Sequence, residues 1–237
     1  MKFISQIKDA AKYTFKDWKT IVLLGIILCI ASTSEEFTTN NNILLFILSV
    51  ITITLLIIEE GYRYTIIKET IEGNNRPPII GNLFKLIKEG IIETFSLAVY
   101  VGIVLALFTA YDQIPKDQFY DMYQIIIFIL LIIIYLMFFG YAINKALHGS
   151  KFLSAFNIIE IFKLYYKIGI VQSIFLFIVG SISLNIMYTC VFNIGIFQPT
   201  RFIEFILSFF INPILLLFIT RLMALCGREA IPSQNQK

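Results

Sequence analysis

The chain has 237 residues, of which 58% are hydrophobic and only 15% charged, far from the roughly 45–50% and about 25% of soluble domains. Nineteen Lys and Arg stand against sixteen Asp and Glu, for a formal charge of +3. No lysine-rich tail or basic patch interleaved with aromatics accompanies that charge, so nucleic acid is not an expected partner. The three cysteines, Cys29, Cys190 and Cys226, lie far apart in apolar runs, and His148 is the one histidine. This excludes a recognisable zinc, haem or dithiol site, and no metal or cofactor is expected.

Crossing about 30 Å of hydrocarbon takes about twenty helical residues. Taken in chain order, the sequence opens with Ile4, Ile7, Ala11, Phe15 and Trp18 at steps of three and four, with Lys8, Lys12 and Lys16 on another face. That pattern predicts an amphipathic helix lying in the membrane interface. Six apolar segments follow at about 20–37, 42–62, 91–111, 124–144, 168–192 and 202–223. The first needs Trp18 and Lys19 as anchors at one end and Glu35 and Glu36 in the headgroups at the other. Its short apolar core, Ile21 to Ala31, resembles a signal peptide, but Asp9 and Asp17 ahead of it argue that it is retained.

The passage "FKDWKTIVLLGIIL" at 15–28 has echoes in "FKLIKEGIIETFSL" from Phe84 and "FKLYYKIGIVQSIF" from Phe162. The second echo carries the apolar face Ile80, Leu83, Phe84 and Ile87, and the third Phe152, Phe156, Ile159, Phe162 and Tyr166. Phe15, Trp18, Lys19, Phe84, Lys88, Phe162 and Lys167 are the expected interfacial anchors. The expected architecture is all-α: one membrane domain over 1–228, a polar tail at 229–237, and six spans as three hairpins, each preceded by a cytoplasmic interfacial helix. Residues 1–73, 77–149 and 150–228 read as internal copies, each closing near a glycine (Gly73, Gly149, Gly227) suited to a helix C-cap. Seventeen of nineteen basic residues fall on one side of this layout, all but Lys116 and Arg201. The positive-inside rule then puts both termini in the cytoplasm of a multi-pass cell-membrane protein.

These residues resemble an archaeal integral-membrane family known as domain of unknown function 4013. The family pattern has a small residue, a tyrosine, "FkDWK" and a glycine in the first span, matching Ala11, Tyr13, "FKDWK" at 15–19 and Gly25. It continues through Gly61-Tyr62, Gly73 with Pro77, Ala155-Phe156 and Gly227-Arg228. Thr14 stands where the family carries proline. The resemblance implies a membrane location and carries no activity with it.

An ionisable group at mid-bilayer costs about 2.5–3.5 kcal/mol on insertion scales, so each one in a span needs a reason. Glu93, Glu204 and Arg221 qualify, each two or three residues from a span end, where snorkelling to headgroups is the simple account. Gln172 in "GIVQ" takes the place of Glu93 in "GIIE" and suggests two polar groups at one depth. Glu59 or Glu60 is expected to pair with Arg63. Asn144, Asn157, Asn185 and Asn193 read as helix ends or interhelical bonds, and His148 as a helix-end residue. No phosphate loop, nucleophile elbow or HExxH motif is present, so no enzymatic machinery is expected. The expected role is a membrane scaffold or accessory subunit acting through the lipid bilayer, a membrane-protein partner or a second copy. The alternative is a small transporter or channel subunit with a path near Glu93 and Gln172.

Overall fold

A computed structural model of the chain describes residues 2–34, 42–113, 120–192 and 200–229; these are helices joined by short turns, with no strand among them. Helix α1 (Lys2–Thr14) is cut from α2 (Trp18–Ser34) at Asp17, whose carboxylate accepts the Lys19 N–H at 3.2 Å and the Thr20 hydroxyl at 2.8 Å. This is the N-cap chemistry that starts a new helix. The long α3 (Asn42–Ile71) ends at Gly73, whose φ of +100° and N–H bond back to Thr70 close the helix without a Cβ penalty. Asn82 caps α4 (Leu83–Asp112) by accepting the Lys85 N–H at 3.0 Å, and α5 (Tyr120–Leu147) follows. After a 3-10 turn at Phe152–Phe156, Asn157 caps α6 (Ile158–Ile168). Gly169, again at φ +100°, turns the chain by 109° into α7 (Ile170–Phe192). The last stretch runs as α8 (Arg201–Ile206), a π-helical segment at Leu207–Ile211, and α9 (Asn212–Glu229).

Among the described residues, Ile43–Ile71, Leu83–Asp112, Tyr120–Leu147 and Phe202–Glu229 are long and apolar enough to cross a membrane. The bent α6–α7 pair would make a fifth, and the apolar helix Trp18–Ile30 is shorter. The spans outrun their sequence estimates toward the basic side, because nothing between Tyr62 and Gly73 or between Asn144 and Gly149 breaks a helix. The expected polar tail at 230–237 lies outside the described residues.

Helix α3 sits at the centre, packed against α2, α4, α5 and α9, and α9 in turn packs on α1, α2 and α7. The contact of α3 with α4 is backbone-close. A Cβ on Gly61 would meet the Leu86 carbonyl, and one on Gly90 would meet the Ile57 carbonyl. Small residues that let helices approach in this way are the usual device of membrane bundles. Apolar patches flank α3. One joins Tyr13, Leu24, Tyr62, Leu86 and Leu217; another joins Tyr100, Met137, Tyr141, Ala155 and Ile161; a third joins Ile67, Ile143, Leu164 and Leu222.

Several expectations need correction. The second basic stretch is not a separate interfacial helix, since Leu83 to Gly90 are the first two turns of α4. Gly90 remains helical there because it is wedged against α3, whereas the corresponding Gly169 is free to adopt a positive φ and breaks the chain. The third stretch is two pieces, split at Asn157. Gly227 lies inside α9 against Ile143 and caps nothing. The single apolar face expected on α1 proves to be two. Ala10 and Tyr13 dock onto the bundle and Ile4 stays exposed, as do Phe15 just past the helix and Trp18 at the start of α2. On α6, likewise, Ile161, Leu164 and Ile168 dock while Ile159, Phe162 and Tyr166 remain outside.

Candidate functional site: two buried charged clusters

The first cluster lies between α3, α4 and α5. Lys145 and Glu93 form an ion pair with both side chains 1% exposed, and the Lys145 ammonium also sits 4.3 Å over the Tyr64 ring. Glu93 does not snorkel. It points into the bundle, because four residues beyond Glu89 it follows Leu86 and Gly90 along the buried face of α4. One helical turn apart on α3, Glu60 bonds Arg63 at 2.6 Å, while the nearest approach of Glu59 to Arg63 is 3.9 Å. Glu59 is buried, and its Oε1 has no hydrogen-bond partner. The same is true of Glu93 Oε2 and the Thr220 hydroxyl. A cavity of about 30 Å³, room for about one water, is lined by Glu60, Arg63, Glu93, Tyr141 and Thr220 among others. A second of the same size lies across Arg63 and Phe139, against Ser183 and Asn212.

The second cluster ties the N-terminal helix to the rest. Arg221, 1% exposed, uses all five of its N–H groups. Nε and Nη2 bond Asp9 at 3.2 and 3.1 Å, Nη2 also bonds Asn75 at 3.0 Å, and Nη1 bonds the Thr70 hydroxyl at 2.8 Å and the Asn74 carbonyl at 2.6 Å. The guanidinium stacks 4.5 Å from the centre of the Tyr13 ring, a favoured cation–π geometry. Burial holds the Tyr13 phenol above the ordinary tyrosine value, despite the opposing pull of Arg221, so the ring stays neutral. Lys16 bonds the Asn75 carbonyl at 2.9 Å, and Arg228 reaches the Thr70 carbonyl at 3.3 Å. Like Glu93, Arg221 is held inside the protein and does not extend toward headgroups.

The remaining predicted residues fall elsewhere. Gln172 is half-buried with its amide oxygen beside Gly169, and it does not line the Glu93 cavity. Glu204 lies partly exposed on α8. Asn144 donates to the Ser154 carbonyl at 2.7 Å, and Cys226 donates to Gln6 at 3.3 Å. Phe15, Trp18, Lys19, Phe84, Lys88, Phe162 and Lys167 are all exposed. Lys145 and Asp9, the partners that complete the two clusters, were missed. Lys145 was counted with the basic loop residues, although the absence of any breaker before Gly149 keeps it on a helix. Asp9 lies beside buried Ala10, which places it at the edge of the docked face.

Among the described residues, no group of three or more His, Cys, Asp or Glu is arranged to hold a metal. No family model, curated protein or solved structure matches the chain.

Proposed function

We propose that the chain is a six-span membrane protein built as three copies, with both termini cytoplasmic, and that it serves as a scaffold or accessory subunit without chemistry of its own. The observation that carries this reading is the sorting of side chains at one end of the bundle. Lys8, Lys12, Lys16, Lys19, Lys85, Lys88, Lys163 and Lys167 are exposed together with Phe15, Trp18, Phe84 and Phe162, while the long helices above them present bare Ile, Leu and Phe. Aromatic rings and lysine stems beside an apolar belt suit an anionic headgroup layer. The six-span count adds to the four long helices α2 and α7, which at 17 and 23 residues reach roughly 25 and 35 Å.

The copy reading is supported by equivalent packing. The opening segment of each copy rests on the returning helix of the preceding one, α4 on α3, α6 on α5 and α1 on α9. We also propose that the chain belongs to the family known as domain of unknown function 4013. Its motif residues have structural work here: Gly25 lies against the Phe209 carbonyl, Tyr62 donates to the Pro78 carbonyl at 3.0 Å, and Tyr100 donates to the Ala155 carbonyl at 2.6 Å.

Lipid analysis of protein purified in mild detergent tests the role. Anionic lipid should be enriched over bulk membrane, and the enrichment should fall severalfold when Lys8, Lys12 and Lys16 become Gln. An unchanged lipid profile would contradict the reading. The second reading, a small transporter or channel subunit, is favoured by the cavity at Glu93. A cation flux in reconstituted vesicles that disappears in Glu93→Gln would establish it.

A further inference from the structure

The interior cluster does not balance. Its charged groups are Glu59, Glu60 and Arg63 on α3, Glu93 on α4 and Lys145 on α5, three carboxylates against two cations. Glu60 is committed to Arg63 and Glu93 to Lys145, which leaves Glu59 as the surplus. Of the other cations on the helices packed against α3, Lys19 on α2 and Lys85 and Lys88 on α4 are exposed. On α9, Arg221 has all its donors engaged elsewhere, and Arg228 reaches the Thr70 carbonyl. Glu89, one turn before Glu93, would only add negative charge. A buried unpaired carboxylate is among the costliest groups a protein can hold.

Two polar atoms without a partner, Glu93 Oε2 and Thr220 Oγ1, belong to residues that line the cavity with Glu60, and Asn212 lines the second cavity across Arg63. Among the described residues, eight buried side-chain atoms lack a hydrogen-bond partner, and six of them belong to Glu59, Glu93, Ser208, Asn212 and Thr220. All five residues are at most 3% exposed. Most of these atoms are hard oxygen donors, the type that suits a small cation. The backbone of the last span is also irregular. Pro213 cannot donate to the Phe209 carbonyl, and the ladder slips to a π-helical pattern through Leu207–Ile211, a distortion frequent at functional sites.

We infer that the cavity lined by Glu60, Glu93 and Thr220 holds one monovalent cation, sodium or a proton, that balances the one surplus negative charge of the cluster. The Glu93 Oε2 and Thr220 Oγ1 atoms face the bound charge, and the cavity volume admits a single ion. The site goes beyond the scaffold role and does not depend on it.

Thermal unfolding of the purified protein in sodium chloride and in choline chloride at equal ionic strength, at several pH values from about 5 to about 8, tests the site. Sodium as occupant predicts a midpoint rise of about 3–5 °C for each tenfold increase above the dissociation constant, with no rise in choline. A proton as occupant predicts a midpoint that falls as pH rises at fixed salt. Either dependence should vanish in Glu59→Gln and persist in Glu160→Gln, whose side chain is partly exposed on α6, away from the cluster. If Glu59→Gln does not accumulate, the wild-type protein decides the matter. It should bind about one radioactive sodium per chain or show the infrared band of a protonated carboxyl. A midpoint indifferent to sodium and pH, a dependence that survives in Glu59→Gln, or the absence of both sodium binding and the infrared band would overturn the site.

Discussion

Lys145 and Arg221 are both 1% exposed, yet their surroundings are opposites. Arg221 shares its charge with a half-exposed Asp9 and binds a hydroxyl at the end of α3 and two carbonyl or amide oxygens of the α3–α4 connection, with no donor left over. Lys145 faces a fully buried Glu93 that keeps one oxygen unpartnered, and a second buried carboxylate, Glu59, lies on the neighbouring α3. A saturated cluster at a bundle edge acts as a latch, holding α1 and residues 74–75 against α9. An unsaturated cluster in the centre is a site whose last partner comes from outside the chain.

The largest expected effect breaks the central pair. Lys145→Met strands the Glu93 carboxylate and should cost about 3–5 kcal/mol in unfolding measurements, whereas Lys145→Met with Glu93→Leu should recover most of that, since a buried pair replaced by apolar groups is often neutral. If the double variant is no better than the single one, Glu93 has a further partner. The latch should be less sensitive. Arg221→Lys keeps the charge but loses the planar fork, leaving Asn74, Asn75 or Thr70 unbound, for about 2–3 kcal/mol and faster protease cleavage ahead of Trp18. Cleavage at the wild-type rate would show that the latch does not hold α1. The smallest effect belongs to Asp9→Asn. Its side chain is 48% exposed, so solvent screens the ion pair and the loss should be about 1 kcal/mol or less.

Helical content and the long apolar helices were legible because hydrophobic runs and capping residues are local signals. Asp17, Asn82 and Gly169 mark their helix ends in the sequence itself. The fate of Gly90 was not legible, since it is decided by the Ile57 carbonyl of another helix. The sites divide in the same manner. The Glu60–Arg63 pair follows from spacing along one helix, whereas Glu93 with Lys145 and Arg221 with Asp9 join residues 52 and 212 positions apart. A residue near a span end can reach either headgroups or the bundle interior, and only packing chooses between them.

Topology is the most direct measurement, because the lysine collar, the latch and the scaffold role all require one orientation. In a cysteine-free background, single cysteines at Asn41 and Gln118 should react with an impermeant thiol reagent on intact cells. Those at Ser5, Asn75 and Ser150 should react only after the membrane is opened. Labelling at Asn75 from outside would contradict the account, since it would place residues 74–75 and their latch on the wrong side of the membrane.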